Sequence, residues 1–406
     1  MKILFTHQNA FGQYLHLARH LASVPSNEVV FITQRPDVEM PGVRMVRYKP
    51  RRPVTPQIHH YLADIEAAIL NGQEVARVAL ELKQSGFVPD LMLGHNGWGE
   101  IWYLKDVFPN SLLLGYMEFF YRFRGADIGF ARGEAEMFDT ALRIRTKNLG
   151  NLLGLDAIDW GHSPTQWQRS LYPATVQPVI SVVHEGINTS HVMPDPLAQL
   201  TLSNGNVTVS AGDEIVTYVA RNLEPHRGFE TFMRSLPKIL SQRPRAHVII
   251  VGGDGVSYGR QLPDGQSYKQ RMLDEVGPAL DMSRVHFLGH VPYSTFVKVL
   301  QVSRAHVYLT FPFVLSWSML EAMSAGCLVI GSRTPPVEEV ISHNANGLLA
   351  DFFAPDEIAQ HVIDALSDRR QHDEIRNAAR ATVINKYDLQ RVCLPAQIGL
   401  LEHLLR

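Results

Sequence analysis

The sequence predicts an α/β protein made of two Rossmann-like doubly wound domains facing a central cleft. Three observations predict it. Short apolar runs alternate with helical patterns through the first half of the chain, the sequence form of a parallel sheet covered on both faces. The alternation breaks at residues 189–212 and then restarts. At 406 residues the chain is long enough for two ordinary domains, each with its own core.

In the first domain, residues 1–188, the strand candidates are KILFT (2–6), VVFIT (29–33), DLMLG (90–94), LLLGY (112–116), IDWGHS (158–163) and VISVVHEG (179–186). Residues 189–212 read as a Pro-containing linker with a small hairpin, two short runs about an Asn204-Gly205 turn. The second domain, residues 213–387, offers IVTYVA (215–220), HVIIVGG (247–253), RVHFLG (284–289), AHVYLT (305–310), CLVIG (327–331) and GLLAD (347–351). The last segment, 388–406, has apolar residues at helical spacing and is expected to pack back on the first domain.

Composition excludes several classes. Lys+Arg number 38 against 40 Asp+Glu, a balance that argues against nucleic acid. No apolar run reaches the roughly 20 residues of a membrane-spanning helix. The start MKILFTHQ reads as a strand rather than a signal peptide, so the expected location is cytoplasmic. Cys327 and Cys393 stand far apart with no ligand-spaced partner, which implies buried thiols and neither a disulfide framework nor a zinc site.

Doubly wound sheets bind ligands beyond the C-terminal ends of their strands, so the chemistry is sought in the loops there. The stretch LTFPFVLSWSMLEAMSAGCLVIGS (309–332) sets Ser316, Ser318 and Glu321 into an apolar run. A helix beginning there presents unpaired N–H groups and a positive dipole end to an anion. The serines serve as caps or as phosphate donors; the plainer reading is two caps on a buried helix. Glu321, read as lying in the first turn, needs hydrogen-bond donors if buried, and ribose hydroxyls would supply them. In VARNLEPHRGFE (219–230) Arg221 and Arg227 flank Glu224-Pro225. Guanidinium groups suit phosphate, although surface pairs with Glu224 and Glu230 are the alternative. The run IVGGDGVSYG (250–259) has glycines, Gly253 among them, that would let a nucleotide or the other domain approach the backbone closely. It lacks the following helix start and acidic residue of a dinucleotide fingerprint, which disfavours hydride transfer.

Three loops of the first domain stand out: HQNAFGQYLH (7–16), GHNGWGE (94–100) and GYMEFFYRFRG (115–125). His95 directly follows its strand and is read as facing the cleft, against the ordinary case of a structural histidine. Trp98, Phe119, Phe120 and Tyr121 offer a stacking surface for a sugar or, equally, core aromatics. Arg122 and Arg124 face an anionic acceptor or solvent.

Together these motifs resemble the retaining GT-B glycosyltransferases, family 4 of the sequence-based classification (glycosyl transferases group 1). The resemblance rests on HEGIN (184–188), RNLEPHRG (221–228), VGGDG (251–255), VHFLGHVP (285–292), SWSMLEAMSAGCLVIGS and PVEEVISHNANGLL (336–349), in that order. It implies that Arg221 and Arg227 hold the donor's diphosphate and that Glu321 holds the ribose. It implies backbone N–H groups of Leu315, Ser316, Trp317 and Ser318 on phosphate and sugar, Gly12 close to the phosphate, and Val291 touching the base through its backbone. His95 would lie near the reacting sugar. Three departures stand against the pattern. The first Glu of the family's E-x7-E falls on Phe313, the Gly-Gly-x-Pro-Glu loop reads Pro335-Pro336-Val337-Glu338-Glu339, and the N-terminal glycine pair is reduced to Gly12.

The function so implied is retaining, metal-independent transfer of a hexose from a nucleotide diphosphate sugar, a UDP-sugar by expectation, to a saccharide or glycolipid acceptor. The residues show no Asp-x-Asp metal motif. No cofactor is expected besides the donor substrate, and peripheral contact with the inner face of a membrane is an expectation. The alternative is a non-catalytic nucleotide-sugar-binding or assembly protein of the same fold, with Phe313 marking lost activity. A sugar-nucleotide epimerase would need acid and base carboxylates that the sequence does not place.

Overall fold

The computed structural model describes residues 1–130, 138–202, 207–368 and 370–406. The chain divides into two compact units, one of residues 1–186 with 390–406 and one of residues 187–389. The first contains a seven-stranded parallel sheet: β1 (Lys2–Thr6), β2 (Glu28–Thr33), β3 (Val43–Arg47), β4 (Leu91–His95), β5 (Leu112–Tyr116), β6 (Trp160–Ser163) and β7 (Ile180–Val182). Its order is β3-β2-β1-β4-β5-β6-β7. In the second unit a short antiparallel hairpin, β8 (Gln199–Thr201) with β9 (Thr208–Ser210), precedes the strands of a six-stranded parallel sheet. These are β10 (Ile215–Asn222), β11 (His247–Gly253), β12 (Val285–Gly289), β13 (Ala305–Tyr308), β14 (Leu328–Ser332) and β15 (Leu348–Ala350), in the order β12-β11-β10-β13-β14-β15.

Both units are therefore α/β domains of the Rossmann type, with strand order reversing beside the first strand of each sheet. The inner strands are largely apolar because helices cover both faces; β1, β4 and β14 are buried almost end to end. One core cluster of the first sheet joins Leu4, Val30, Met92 and Leu113 to Val75 and Leu82 of the helix Ala63–Gln84. In the second unit Met319, Leu320 and Met323 of the helix Trp317–Ser324 pack on Val329 of β14.

Three local results differ from the sequence expectations. Strand β3 has no counterpart among the expected runs, because Arg44 and Arg47 break its apolar character; it lies at the sheet edge and pairs only with β2, where charge is tolerated. Strand β6 begins at Trp160, two residues later than expected, and β7 ends at Val182, leaving His184 to Gly186 outside the sheet. The hairpin is anchored: Leu200, Leu202 and Val209 are buried with Ile249 and Val251 of β11. The expected turn at Asn204-Gly205 lies outside the described residues. The C-terminal helix Leu394–Leu404 belongs to the first unit, where the Gln397 side chain donates to the carbonyl of His184 at 3.0 Å. Cys327 and Cys393 are both buried free thiols.

The reversal points decide where chemistry can sit. Crossovers leave β1 and β4 in opposite directions, as they do β10 and β13, so the loops after these strands diverge and leave a crevice. Residues 7–16 and 96–103 follow β1 and β4. Residues 223–228 and 309–316 follow β10 and β13.

Candidate functional site

In the second unit the loop after β10 turns through a short 3-10 helix, Pro225–Arg227, that carries Arg227 inward. Only 8% of Arg227 is exposed. Its Nη1 donates to Thr310 Oγ1 at 2.8 Å, to the Val314 carbonyl at 3.0 Å and to the Tyr308 hydroxyl at 3.3 Å. The guanidinium also lies 5.4 Å from the Tyr258 ring centroid and 5.9 Å from that of Phe313. The acceptors at Nη1 are neutral oxygens, so this buried cation is held by hydrogen bonds and rings without a carboxylate among them. Arg221 is placed differently, exposed near the end of β10. The structure thus gives the two arginines unlike settings.

The helix Trp317–Ser324 starts at Ser316, whose Oγ accepts the Ser318 N–H at 3.3 Å and lies 3.0 Å from Ser318 Oγ. The Ser316 N–H donates to the Tyr308 hydroxyl at 2.8 Å. The Ser316 and Ser318 amides thus already have partners inside the protein. Leu315 is buried in the core beneath this turn, whereas Trp317 is 42% exposed. Glu321 is not in the first turn: the helix begins at Trp317, so the carboxylate stands in the second, where the dipole's effect has fallen off. Its stabilisation comes instead from the Tyr293 hydroxyl, which donates to Oε1 at 2.7 Å. Burial nonetheless pushes the Glu321 carboxyl above its usual range. Tyr293 opens the helix that follows Val291 and Pro292. Val291 itself packs against the hairpin's core cluster.

A group that sequence reasoning treated as an arginine partner has another task. Glu224 is fully buried, and its carboxylate accepts the N–H groups of Ser257, Tyr258 and Gly259 at 2.8–3.2 Å. It ties the loop after β11 to the loop after β10, and so seats the Tyr258 ring beside Arg227. A lone Glu before Pro carries no sequence signal for this. At Gly253 a Cβ would come within 2.3 Å of His290 Nε2 and 2.7 Å of Asn222 Oδ1, so a larger residue there would displace these two side-chain ends. Phe313 is buried with its ring centroid 4.9 Å from that of Tyr258. A carboxylate there would have Arg227 nearby as a partner, which the run Phe311, Val314 and Leu315 does not reveal.

In the first unit His95 ends β4 and is buried. Its Nδ1 accepts the Gly97 N–H at 3.1 Å, which leaves the proton on Nε2, directed at Glu118 Oε2 at 3.1 Å. The Trp98 ring stacks on the imidazole at 3.8 Å, and His7 meets Trp98 edge-on at 5.1 Å. Gly12 has φ +51°, and a Cβ there would lie 2.6 Å from His7 Nε2, so the glycine's close approach is to this histidine. Burial, with the neighbouring His95, lowers the His7 pKa to about 4, so His7 is neutral at pH 7. A cavity of about 270 Å³ opens here, lined by Gln8, Asn71, His95, Trp98, Glu118 and Lys147 among others. Phe119 and Tyr121 also line it, while Phe120 is core, packed on Tyr172. Arg122 donates to the Leu171 carbonyl at 2.6 Å and stacks on Phe120. Glu118 and Lys147 were missed by sequence reasoning; the one signal was Glu118's place two residues beyond β5 in an otherwise aromatic run.

Two family models cover most of the chain. That of the glycosyl transferase family 4 group matches residues 25–192, and that of the glycosyl transferases group 1 matches residues 205–382. The chain belongs to the group 1 glycosyltransferases. Among relatives of this glycosyltransferase family, an uncharacterized glycosyltransferase of Methanocaldococcus jannaschii, MJ1607, is 30% identical over 191 residues, 46% of this chain and 44% of the relative. A GDP-mannose-dependent α-(1-6)-phosphatidylinositol monomannoside mannosyltransferase of Mycobacterium tuberculosis is 26% identical over 219 residues, 53% and 54% of the two chains. The matched part spans about half the length of these relatives. Sucrose-phosphate synthase from Thermosynechococcus elongatus superposes with a TM-score of 0.75 at 18% identity, over 100% of this chain and 99% of that one. Anabaena HepE, solved with UDP and glucose, gives 0.69 at 16%, over 99% of each. At such identities the likeness is one of fold, the GT-B fold.

Glu100 provides a pH test of the first unit's loops. Its Oε1 accepts the Gln8 N–H at 3.0 Å and lies 3.3 Å from the Tyr48 hydroxyl, and burial raises its pKa to about 7. Because the folded pKa lies above the free one, Glu100's contribution to stability is complete below about pH 4.5 and is lost as pH rises through about 7. Glu100→Gln removes this dependence. Urea unfolding of both proteins at pH 5 and pH 8 should show the wild type losing up to about 3 kcal/mol more than the variant. Parallel losses would place the carboxylate's titration elsewhere.

Removing the carboxylate in Glu224→Ala leaves three part-buried N–H groups without their acceptor, with an expected loss of about 1–3 kcal/mol in all. Thermal unfolding should register it clearly. A melting temperature equal to the wild type's would show that the loop after β11 needs no such anchor.

Proposed function

We propose that this protein is a retaining, metal-independent hexosyltransferase that takes its sugar from a nucleotide diphosphate donor and passes it to a saccharide or glycolipid acceptor. The observation that carries this reading is the buried Arg227 guanidinium, hydrogen-bonded to neutral oxygens at the reversal point of the second sheet, beside a serine-capped helix start. A diphosphate there would balance the cation and accept from the guanidinium's remaining N–H groups and the serine hydroxyls. As the glycosidic C–O bond breaks, negative charge grows on the leaving phosphate, and these fixed donors stabilise it more than they stabilise the ground state. Arg221 is proposed to reach the same phosphates from the strand end. With the acceptor delivered on the face that the phosphate leaves, the phosphate itself takes the acceptor's proton.

Glu321 is proposed to hold the ribose through Oε2, its Oε1 being occupied by Tyr293. Val291 and Gly253 are proposed to border the base, and Gly12 to border the phosphates. A UDP-sugar is the proposed donor, as UDP is what HepE was solved with. The Mycobacterium relative's GDP-mannose makes guanine the second reading. In the first unit the cavity is proposed to take sugar hydroxyls, with His95 as a catalytic residue oriented by Glu118. If Phe313 instead marks a non-catalytic binder, nucleotide sugars bind without turnover; slow release of free nucleotide and sugar from the donor argues for the enzyme.

The test is a thermal-shift series with UDP, GDP and their hexose conjugates. At 100 times its dissociation constant the true ligand adds about 2.7 kcal/mol of stability. Arg227→Ala should weaken nucleoside diphosphate and nucleotide sugar alike, by about 1.5–3 kcal/mol. Wild-type affinity in that variant would reduce Arg227 to a structural anchor. The anomeric configuration of the product, read by NMR against that of the donor, decides retention.

Glu118→Gln keeps the shape but weakens the charge-assisted bond to His95. Turnover should fall by about tenfold or more while nucleotide affinity stays unchanged. An equal rise in KM for the donor with unaltered kcat would assign Glu118 to binding alone.

A further inference from the structure

Three consecutive residues of the loop after β11, Ser257, Tyr258 and Gly259, rest their backbone N–H groups on the Glu224 carboxylate, and Ser257 Oγ also accepts from Asn222 Nδ2 at 2.7 Å. Farther along, the Tyr268 hydroxyl donates to the Arg260 carbonyl at 2.7 Å. The backbone on both sides of Tyr258 is therefore fixed. Yet Tyr258 is no core residue: 37% of it is exposed, while Phe313, its neighbour at 4.9 Å between ring centroids, is buried. A fully buried carboxylate thus anchors an aromatic side chain that stays open to solvent. That is the arrangement of a side chain held ready for a ligand.

What the side chain meets is Arg227. The guanidinium carbon lies 5.4 Å from the Tyr258 ring centroid, and the phenol oxygen reaches the guanidinium. Thr310, Tyr308 and the Val314 carbonyl occupy Nη1, and the Tyr308 oxygen is committed further by accepting the Ser316 N–H. We infer that Tyr258 is a catalytic residue of the second unit's site, its hydroxyl donating to the leaving phosphate oxygen of the donor. The inference rests on the hexosyltransferase reading, since the phosphate addressed is the one proposed at Arg227. A phenol oxygen that accepts from a guanidinium keeps its own proton for an anion alongside. When the bond between the sugar's anomeric carbon and the phosphate oxygen breaks, both electrons go to that oxygen, and a fixed O–H holds it more tightly as its charge grows. The proton stays on the phenol, because a phosphate is much the stronger acid. A ring that merely covered Arg227 would serve as well without its hydroxyl, and there the two roles separate.

The test compares Tyr258→Phe with wild type, both as full chains, by titration with UDP, GDP and inorganic pyrophosphate and by release of nucleoside diphosphate from UDP-glucose and GDP-mannose. The variant keeps the ring and should melt as wild type does. Its dissociation constants for pyrophosphate and for the nucleotide that binds should rise about threefold to tenfold, the loss of one hydrogen bond to an anion. Release from the donor should slow by more than that, about a hundredfold, because the lost donor faces the charge that develops in the transition state. Unchanged affinity with unchanged release overturns the inference and leaves Tyr258 as a cover for Arg227. Weaker binding with unslowed release overturns the catalytic role, as does a lowered melting temperature with affinity and release intact. Wild type that binds pyrophosphate through the Tyr258 hydroxyl but takes neither UDP nor GDP keeps the contact and defeats the nucleotide-sugar reading. Wild type that binds a nucleotide equally well with and without the hydroxyl, and turns its donor over equally fast, keeps that reading and defeats the inference.

Discussion

A buried guanidinium with only neutral partners is the constraint on which the second unit's site depends. Taking Arg227 out of water costs several kcal/mol unless its N–H groups are satisfied. Thr310, Val314 and Tyr308 satisfy Nη1, and in doing so they fix the loop that runs from β13 to the helix at Ser316. The Tyr308 hydroxyl then passes the constraint on by accepting the Ser316 N–H. Glu224 performs the matching task on the other side, holding the loop after β11 so that Tyr258 lies beside the same guanidinium. Three loops are thus locked to one cation whose charge an anion can balance.

The first unit uses the same topology for a different chemistry. Its reversal point collects imidazole, indole, carboxylate and amide groups around a small cavity, with no buried arginine at the centre. His95 has a defined tautomer because a backbone N–H occupies Nδ1, and Glu118 accepts the hydrogen bond from Nε2–H. Such groups can hydrogen-bond to hydroxyls, whereas the second unit's buried cation can be balanced by an anion. One strand order, repeated, gives each unit a crevice at the same place, and the residues lining it set what each can hold.

The architecture was legible because parallel strands buried on both faces read as continuous apolar runs, as KILFT and HVIIVGG do. Strand β3 was hidden by its arginines, which an edge position permits. The group 1 membership was legible in RNLEPHRG and in SWSMLEAMSAGCLVIGS, where order and spacing carry the information. Partnerships were much less so. Glu224 looked like a surface acid facing arginines, and only the fold brings three amides of residues 257–259 to it. Glu118 was passed over beside its aromatic neighbours, since a single acid two residues past a strand does not reveal that a histidine 23 positions earlier points at it. Glu321 was placed one turn too early because the apolar run does not mark where the helix starts.

The central claim is that Arg227 and the helix start at Ser316 form a seat for a diphosphate. The most direct measurement is the position of the phosphorus atoms in a crystal of the chain grown with a nucleoside diphosphate. The account places phosphate oxygens within hydrogen-bond distance of the Arg227 guanidinium and of the turn from Leu315 to Ser318. A nucleotide bound in the crystal with its phosphates away from both would contradict it.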